Sequence, residues 1–201
     1  SDAQGIAAVL EQADVDVIAL QETTPTHHAL FEDQLSGLYP YQEHRMNKRV
    51  ANGPSLLSKF PLSNCEHTSS APGFNGFLRC TVNSPIGELD VLGVHLHPIT
   101  GVKRTRKISI LHRIQHEELE QVLAMVTSRP TLVVGDLNVP LGHPAHSELS
   151  SAGFSNASED LGLDPRSYPT WSDTILGVSV SGRIDFLYSN AQLTPRSLRV
   201  F

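Results

Sequence analysis

The sequence predicts a mixed α/β domain, and three observations carry that prediction. Ile6, Val9, Leu10 and Ala13 recur at i, i+3, i+4 and i+7, so an amphipathic helix opens the chain. The stretch Val15 to Glu22 follows at once, and its continuous apolar run predicts a strand buried on both faces. Thr131 to Val134 is a second apolar run, rich in β-branched residues, and it too comes after a helical repeat (Leu119, Val122, Leu123, Val126).

Each element follows in order. Ser1 or Asp2 caps the first helix. The strand after it ends in Gln21-Glu22, then Thr23, Thr24 and Pro25. A carboxylate at the end of a buried strand is costly unless it is paired, metal-bound or already at the solvated rim. Thr26 to Leu38 forms a second helix before Tyr39-Pro40-Tyr41, and Gly53 to Phe60 reads as a strand stopped by Pro61. Phe77 to Val82 and Glu88 to Leu96 are strands. Asn83-Ser84-Pro85-Ile86-Gly87 between them has turn chemistry, so the pair is a β-hairpin.

His95 and His97 alternate with Val94 and Leu96 and share the opposite face. A solvated strand end accounts for two such histidines as well as a functional site does. Of the five residues from Lys103 to Lys107, four are cationic: Lys103, Arg104, Arg106 and Lys107. They suit a phosphate-contact patch or a solvated helix start. The helix that follows carries Glu117, Glu118 and Glu120 on its outer side, and Arg129-Pro130 ends it.

Gly135 breaks the strand at Thr131–Val134, and Asp136 and Asn138 follow at its carboxyl end, where ligands of open α/β sheets sit. If the chain stays extended, the two side chains leave on one face. Asp136 can hold a proton or a metal, and Asn138 offers a neutral donor and acceptor. A capped turn is the alternative, since both residue types favour turns. Pro140 to Pro144 is loop. Pro169-Thr170-Trp171-Ser172 lies in a second loop-rich stretch with the only tryptophan. Ser181-Gly182-Arg183-Ile184-Asp185-Phe186-Leu187-Tyr188 reads as a turn and then a strand, with Ile184, Phe186 and Tyr188 on one face. Asp185 within it needs a partner, an imidazole or Arg183.

Composition bounds the function. The 201 residues suffice for one core, and no repeat or low-complexity linker divides them. At 39% hydrophobic and 18% charged residues the chain is globular. A formal net charge of −6 does not indicate a strongly basic nucleic-acid binder, although a local basic patch fits. The two cysteines, Cys65 and Cys80, lack metal-ligand spacing; a disulfide between them stays open, a disulfide-dependent scaffold does not. No apolar run is long enough to span a membrane, and the first residues do not form a signal peptide.

Glu22, His95, Asp136, Asn138 and Asp185 each stand at or near a predicted strand end. With DVIALQE (16–22), PSLLSKFP (54–61), GVHLHP (93–98), VVGDLN (133–138), YPTWS (168–172) and GRIDFLY (182–188), the chain resembles the endonuclease/exonuclease/phosphatase superfamily. Each segment alone is weakly specific; six in the right order and spacing are strongly so. The resemblance implies a two-layer β-sandwich flanked by helices, a divalent metal (Mg²⁺ or Mn²⁺), and hydrolysis of a phosphoester by in-line attack of water. It implies that Glu22 holds the metal, Asp136 orients or deprotonates the water, Asn138 binds a phosphoryl oxygen, and His95 donates to the phosphate or leaving oxygen. Asp185 would orient a second histidine. Lys103, Arg104, Arg106 and Trp171 are candidates for substrate contact.

Two family segments have no match here. Members have a first strand ending in Asn and a closing Ser-Asp-His segment, so this chain is expected to be part of a longer protein or an incomplete domain. In the latter case Asp185 lacks its histidine, and a non-catalytic binding module is the competing reading. The substrate class, nucleic acid or phospholipid, stays open. So do the oligomeric state and the compartment.

Overall fold

The computed structural model describes residues 3–46, 53–70, 75–98, 105–164, 168–175 and 177–200. The proposed cap at Ser1 or Asp2 lies outside them. In chain order come α1 (Ala3–Ala13), β1 (Val17–Thr23), α2 (Pro25–Gln34), β2 (Tyr41–His44), β3 (Gly53–Ser58), β4 (Leu62–Ser69), β5 (Gly76–Ser84) and β6 (Gly87–His95). Then follow α3 (Thr105–Ala124), β7 (Thr131–Asp136), α4 (Pro144–Ser151), β8 (Phe154–Asn156), α5 (Ala157–Asp160), β9 (Trp171–Ile175), β10 (Val178–Gly182) and β11 (Asp185–Asn190).

Two sheets pack face to face. One has the order β1-β3-β2, the other β4-β5-β6-β7-β11-β8, and β9 and β10 form a separate two-stranded ribbon. Leu56 from the smaller sheet meets Leu78, Cys80, Val82 and Val91 from the larger, with Val17, Ala19, Leu132 and Val134 alongside. The outer faces carry the helices. Ile18, Leu57 and Leu20 pack with Ala7, Phe31 and Leu35 of the α1–α2 side. Val94, Val133, Phe186 and Tyr188 pack with Leu119, Val122 and Leu149 of the α3–α4 side. The result is the expected sandwich with helices on both sides. It also explains the unbroken apolar runs of β1 and β7, whose alternate residues enter two different cores.

Several boundaries differ from the sequence expectation, each for a local reason. The second helix spans Pro25–Gln34 and not Thr26–Leu38. Thr24 caps it through a reciprocal capping box with His27, and Leu35 closes it. The predicted loop around Trp171 is instead a strand, paired in register from Trp171↔Gly182 to Ile175↔Val178. Gly177, at φ +81°, supplies the tight reversal. Ser181-Gly182 therefore ends a strand and is not a turn, and Ile184 lies outside β11. Cys65 and Cys80, on the paired strands β4 and β5, form a disulfide 15 residues apart. Closing a loop of that length stabilises by about 3 kcal/mol in the chain-entropy picture.

Glu118 is the largest departure. It was assigned to the outer face of its helix with Glu117 and Glu120, yet it is fully buried (0% exposed). The predicted period was right; the helix buries a wider face than its aliphatic residues mark.

Burial sets the expected response to mutation. Leu78 is 0% exposed in the inter-sheet core and Ile86 is 89% exposed. Leu78→Ala should lose about 2–5 kcal/mol in chemical denaturation, and Ile86→Ala should stay within about 0.5 kcal/mol of wild type.

Candidate functional site

Three adjacent strands of the larger sheet place their polar ends at one level. β6 and β7 run parallel with His95 opposite Asp136. β11 runs antiparallel on the other side of β7, with Asp185 opposite the same Asp136. Glu22 comes from the facing sheet. There the β1–β3 register shifts between Leu20 and Thr23, and Glu22 takes a left-handed φ of +57°. A bulge of this kind turns a side chain out of the pleat. Here it delivers the carboxylate to within 3.9 Å of His95 Nε2, the same distance that separates Nε2 from Asp136 Oδ2.

β7 does not continue extended past Asp136. Asn138 has φ +52°, and its N–H donates to Asp136 Oδ1 at 2.6 Å. The capped turn and the polar site are thus one object, not alternatives. Asn138 Nδ2 donates to the Leu96 carbonyl at 2.8 Å, and Leu96 N–H donates to the Asp136 carbonyl at 3.0 Å. The residue after His95 is laced to the Asp136–Asn138 turn in both directions. Gly135 makes the approach possible: at φ +140°, a Cβ there would meet the Val94 carbonyl at 2.1 Å.

Glu22, His95, Asp136, Asn138, Trp171 and Asp185 line one cleft of about 390 Å³, together with Gln21, Pro98 and Ile184. All five of the predicted polar residues converge, and Trp171 joins them from β9. Lys103 and Arg104 lie outside the described residues. Arg106 falls in the first turn of α3, with a side chain outside them too. Sequence reading missed Gln21, the neighbour of Glu22, and Thr170, whose Oγ1 accepts from the N–H groups of Ile184 and Asp185 at 3.1 Å each. Arg183 partners Asp185 through the backbone, its Nε donating to the Asp185 carbonyl at 3.2 Å, and the two side chains attract each other electrostatically without a direct hydrogen bond between them among the described residues.

Electrostatics follow from crowding and partial burial. Burial pushes the Asp136 carboxyl up to about 7, the Asn138 N–H opposes this, and the neighbouring carboxylates Asp185 and Glu22 add to it. Burial holds His95 below the ordinary histidine value, against the pull of Glu22 and Asp185. The site thus favours the neutral imidazole of His95 and raises the proton affinity of Asp136. Among the described residues, no three of His, Cys, Asp and Glu stand close enough to cage a metal by themselves.

With this geometry in hand, the chain is matched over residues 1–201 by the model of the endonuclease/exonuclease/phosphatase family, and it belongs to that family. Among solved structures it is similar to an endonuclease/exonuclease/phosphatase from Beutenbergia cavernae, at 20% identity and TM-score 0.71 over 94% of this chain and 59% of that one. It is similar to D. rerio TDP2 complexed with single-strand DNA product, at 15% identity and TM-score 0.72 over 96% and 78%. It is also similar to beta toxin from Staphylococcus aureus, at 14% identity and TM-score 0.63 over 88% and 72%. The chain thus spans just over half the length of the Beutenbergia protein, and these likenesses establish the fold. No curated protein matches its sequence.

The raised Asp136 pKa has a measurable consequence. Its folded value of about 7 lies above the ordinary 3.8, so its contribution to stability is full below about pH 4 and is lost as pH rises through 7. Asp136→Asn, which stays neutral, should gain stability over wild type progressively between about pH 4 and 7 and hold a constant offset beyond. Denaturation curves of both proteins in EDTA test this. A constant offset across the whole range would contradict the assigned shift.

Proposed function

We propose that this chain is a divalent-metal-dependent phosphoesterase, most suited to phosphodiesters, that uses Mg²⁺ or Mn²⁺ and an attacking water. One observation carries the reading: Glu22, His95, Asp136, Asn138 and Asp185, from four separate strand ends, line a single cleft.

The donor set fits such an ion. Three carboxylates share the cleft; burial pushes Asp136 up, and Asp185 and Glu22 add to it. Hard oxygen donors suit Mg²⁺ or Mn²⁺. Mg²⁺ is usually held by one or two carboxylates and keeps several waters. Glu22, the most exposed of the three, would hold the ion. When bound, such an ion offsets phosphate charge and polarises the phosphoryl oxygen.

The side chains then divide the remaining work. Asp136, poised near neutrality, accepts a proton from water at physiological pH, where a base of matched pKa is most effective. Asn138 spends one amide proton on Leu96 and keeps the other for a phosphoryl oxygen. Neutral His95 donates from a ring N–H to the phosphate or the leaving oxygen. Asp185 adds negative charge beside Asp136 and so supports its role as base. Trp171, 37% exposed on the cleft wall, offers an aromatic face to a base or an acyl chain. Lys103, Arg104 and Arg106 would meet the rest of a polyanionic substrate. The formal charge of −6 favours a substrate held at few phosphates over one gripped along a duplex. The name of the D. rerio structure supports nucleic acid as one candidate class, and phospholipid is the other.

Bis-p-nitrophenyl phosphate, a phosphomonoester, plasmid DNA and sphingomyelin should be assayed with Mg²⁺ and with EDTA. We expect metal-dependent turnover of the diester. Asp136→Ala should cut it by about 10²–10⁴-fold with the fold intact by circular dichroism. Near-wild-type activity in that variant would remove the proposed base. Calorimetric Mg²⁺ titration should give saturable binding that Glu22→Gln abolishes; no binding by wild type would favour a non-catalytic module.

A further inference from the structure

Glu118 is a carboxylate with no exposed surface, carried on a helix none of whose described side chains lines the cleft. Burying an ionisable group is expensive unless its hydrogen bonds compensate, so its contacts matter. Its Oε2 accepts the His97 N–H at 2.6 Å. Its Oε1 accepts the Ser70 hydroxyl in a short bond. One turn earlier on α3, fully buried Gln115 donates from Nε2 to the His97 carbonyl at 2.7 Å. Two side chains at i and i+3 on one helix therefore hold both polar groups of a single backbone residue.

That residue is two positions beyond His95. Between them lies Leu96, held from the opposite side by Asn138 Nδ2 and the Asp136 carbonyl. The paired register of β6 ends at Gly93 on the β5 side and at His95 on the β7 side. We infer that Glu118 and Gln115 are positioning residues, which clamp the His97 backbone between α3 and the Asp136–Asn138 turn and so fix the His95 imidazole in the cleft.

The inference rests on the reading of His95 as a group that acts on substrate, but the clamp itself is a structural device that can be measured without turnover. What the clamp requires of Glu118 is an acceptor for the His97 N–H, not a net charge. A glutamine at 118 keeps that acceptor, and its amide can donate to the Ser70 oxygen. A methionine of similar size cannot accept. Burial raises the Glu118 carboxyl, against the two bonds it accepts, which agrees with a role that does not depend on ionisation.

The test compares Glu118→Met, Glu118→Gln and wild type in the full chain. The first readout is NMR of the site: hydrogen exchange at the His97 amide and the position of the His95 ring resonances. The second is kcat and KM on bis-p-nitrophenyl phosphate with Mg²⁺. Glu118→Met should speed exchange of the His97 amide by about tenfold or more and displace the His95 ring resonances. It should lower kcat by about 10–100-fold, the scale of a misplacement near 1 Å, with KM changed by less than about threefold. Glu118→Gln should restore all three. The inference fails if Glu118→Met leaves the His95 ring resonances and kcat unchanged while melting earlier, since Glu118 is then a fold anchor only. It also fails if Glu118→Gln is as impaired as Glu118→Met, since charge is then what matters. Should wild type hydrolyse no phosphoester, the phosphoesterase reading falls alone, and the His97 exchange and the His95 ring resonances still decide the clamp.

Discussion

The register between β6, β7 and β11 is the constraint on which the site depends. A slip by one residue on any of these strands would move its polar end out of line and reverse which core each apolar residue enters. The register is held from both faces. Val94, Val133 and Phe186 lock it on the helix side, and Leu132 and Val134 lock it on the side of the smaller sheet. His95, Asp136 and Asp185 stand where three correctly paired strands begin or end, and Glu22 reaches them from the smaller sheet.

Strain collects at that line. Glu22 and Asn138 are two of only four non-glycine residues with positive φ among the described ones, and both line the cleft. Such conformations cost of order 1–3 kcal/mol each and persist where the surroundings overdetermine them. Around Glu22 the surroundings are a dense polar network. Thr23 Oγ1 donates to the Gly53 carbonyl at 2.9 Å and meets Ser55 Oγ at 2.6 Å and His28 Nε2 at 2.9 Å. Around Asn138 they are its bonds to Asp136 and Leu96. Polar groups behind the site thus set the geometry of polar groups within it.

Crowding has a chemical effect as well. Burial raises the proton affinity of Asp136, and the nearby carboxylates Asp185 and Glu22 add to it. The proposed roles of Asp136 as base and of the cleft as a divalent-cation site both draw on that arrangement. Family membership and this charge pattern point in one direction, although they come from independent observations.

The amino-acid sequence by itself determined β1, β3, β5, β6, β7 and β11, because a buried strand announces itself in its apolar run; the short or half-polar strands β2, β4 and β8 carry no such run. It marked Glu22, His95, Asp136, Asn138 and Asp185 as strand-end polar groups, since polarity at the close of an apolar run is visible without coordinates. It did not determine the β9–β10 ribbon: Ser172, Asp173 and Thr174 of β9 are polar, and the alternation Val178-Ser179-Val180-Ser181 in β10 is only four residues long. Nor did it determine the burial of Glu118, which looks like its neighbours Glu117 and Glu120 until the chain beyond His95 is laid against the helix. Those features, the Cys65–Cys80 disulfide and the left-handed turns at Glu22 and Asn138 were decided by tertiary structure. The burial of Glu118, the disulfide and the Glu22 bulge depend on partners further along the chain that no local period records, while the β9–β10 ribbon and the Asn138 turn close on near neighbours whose polar residues also suit a loop.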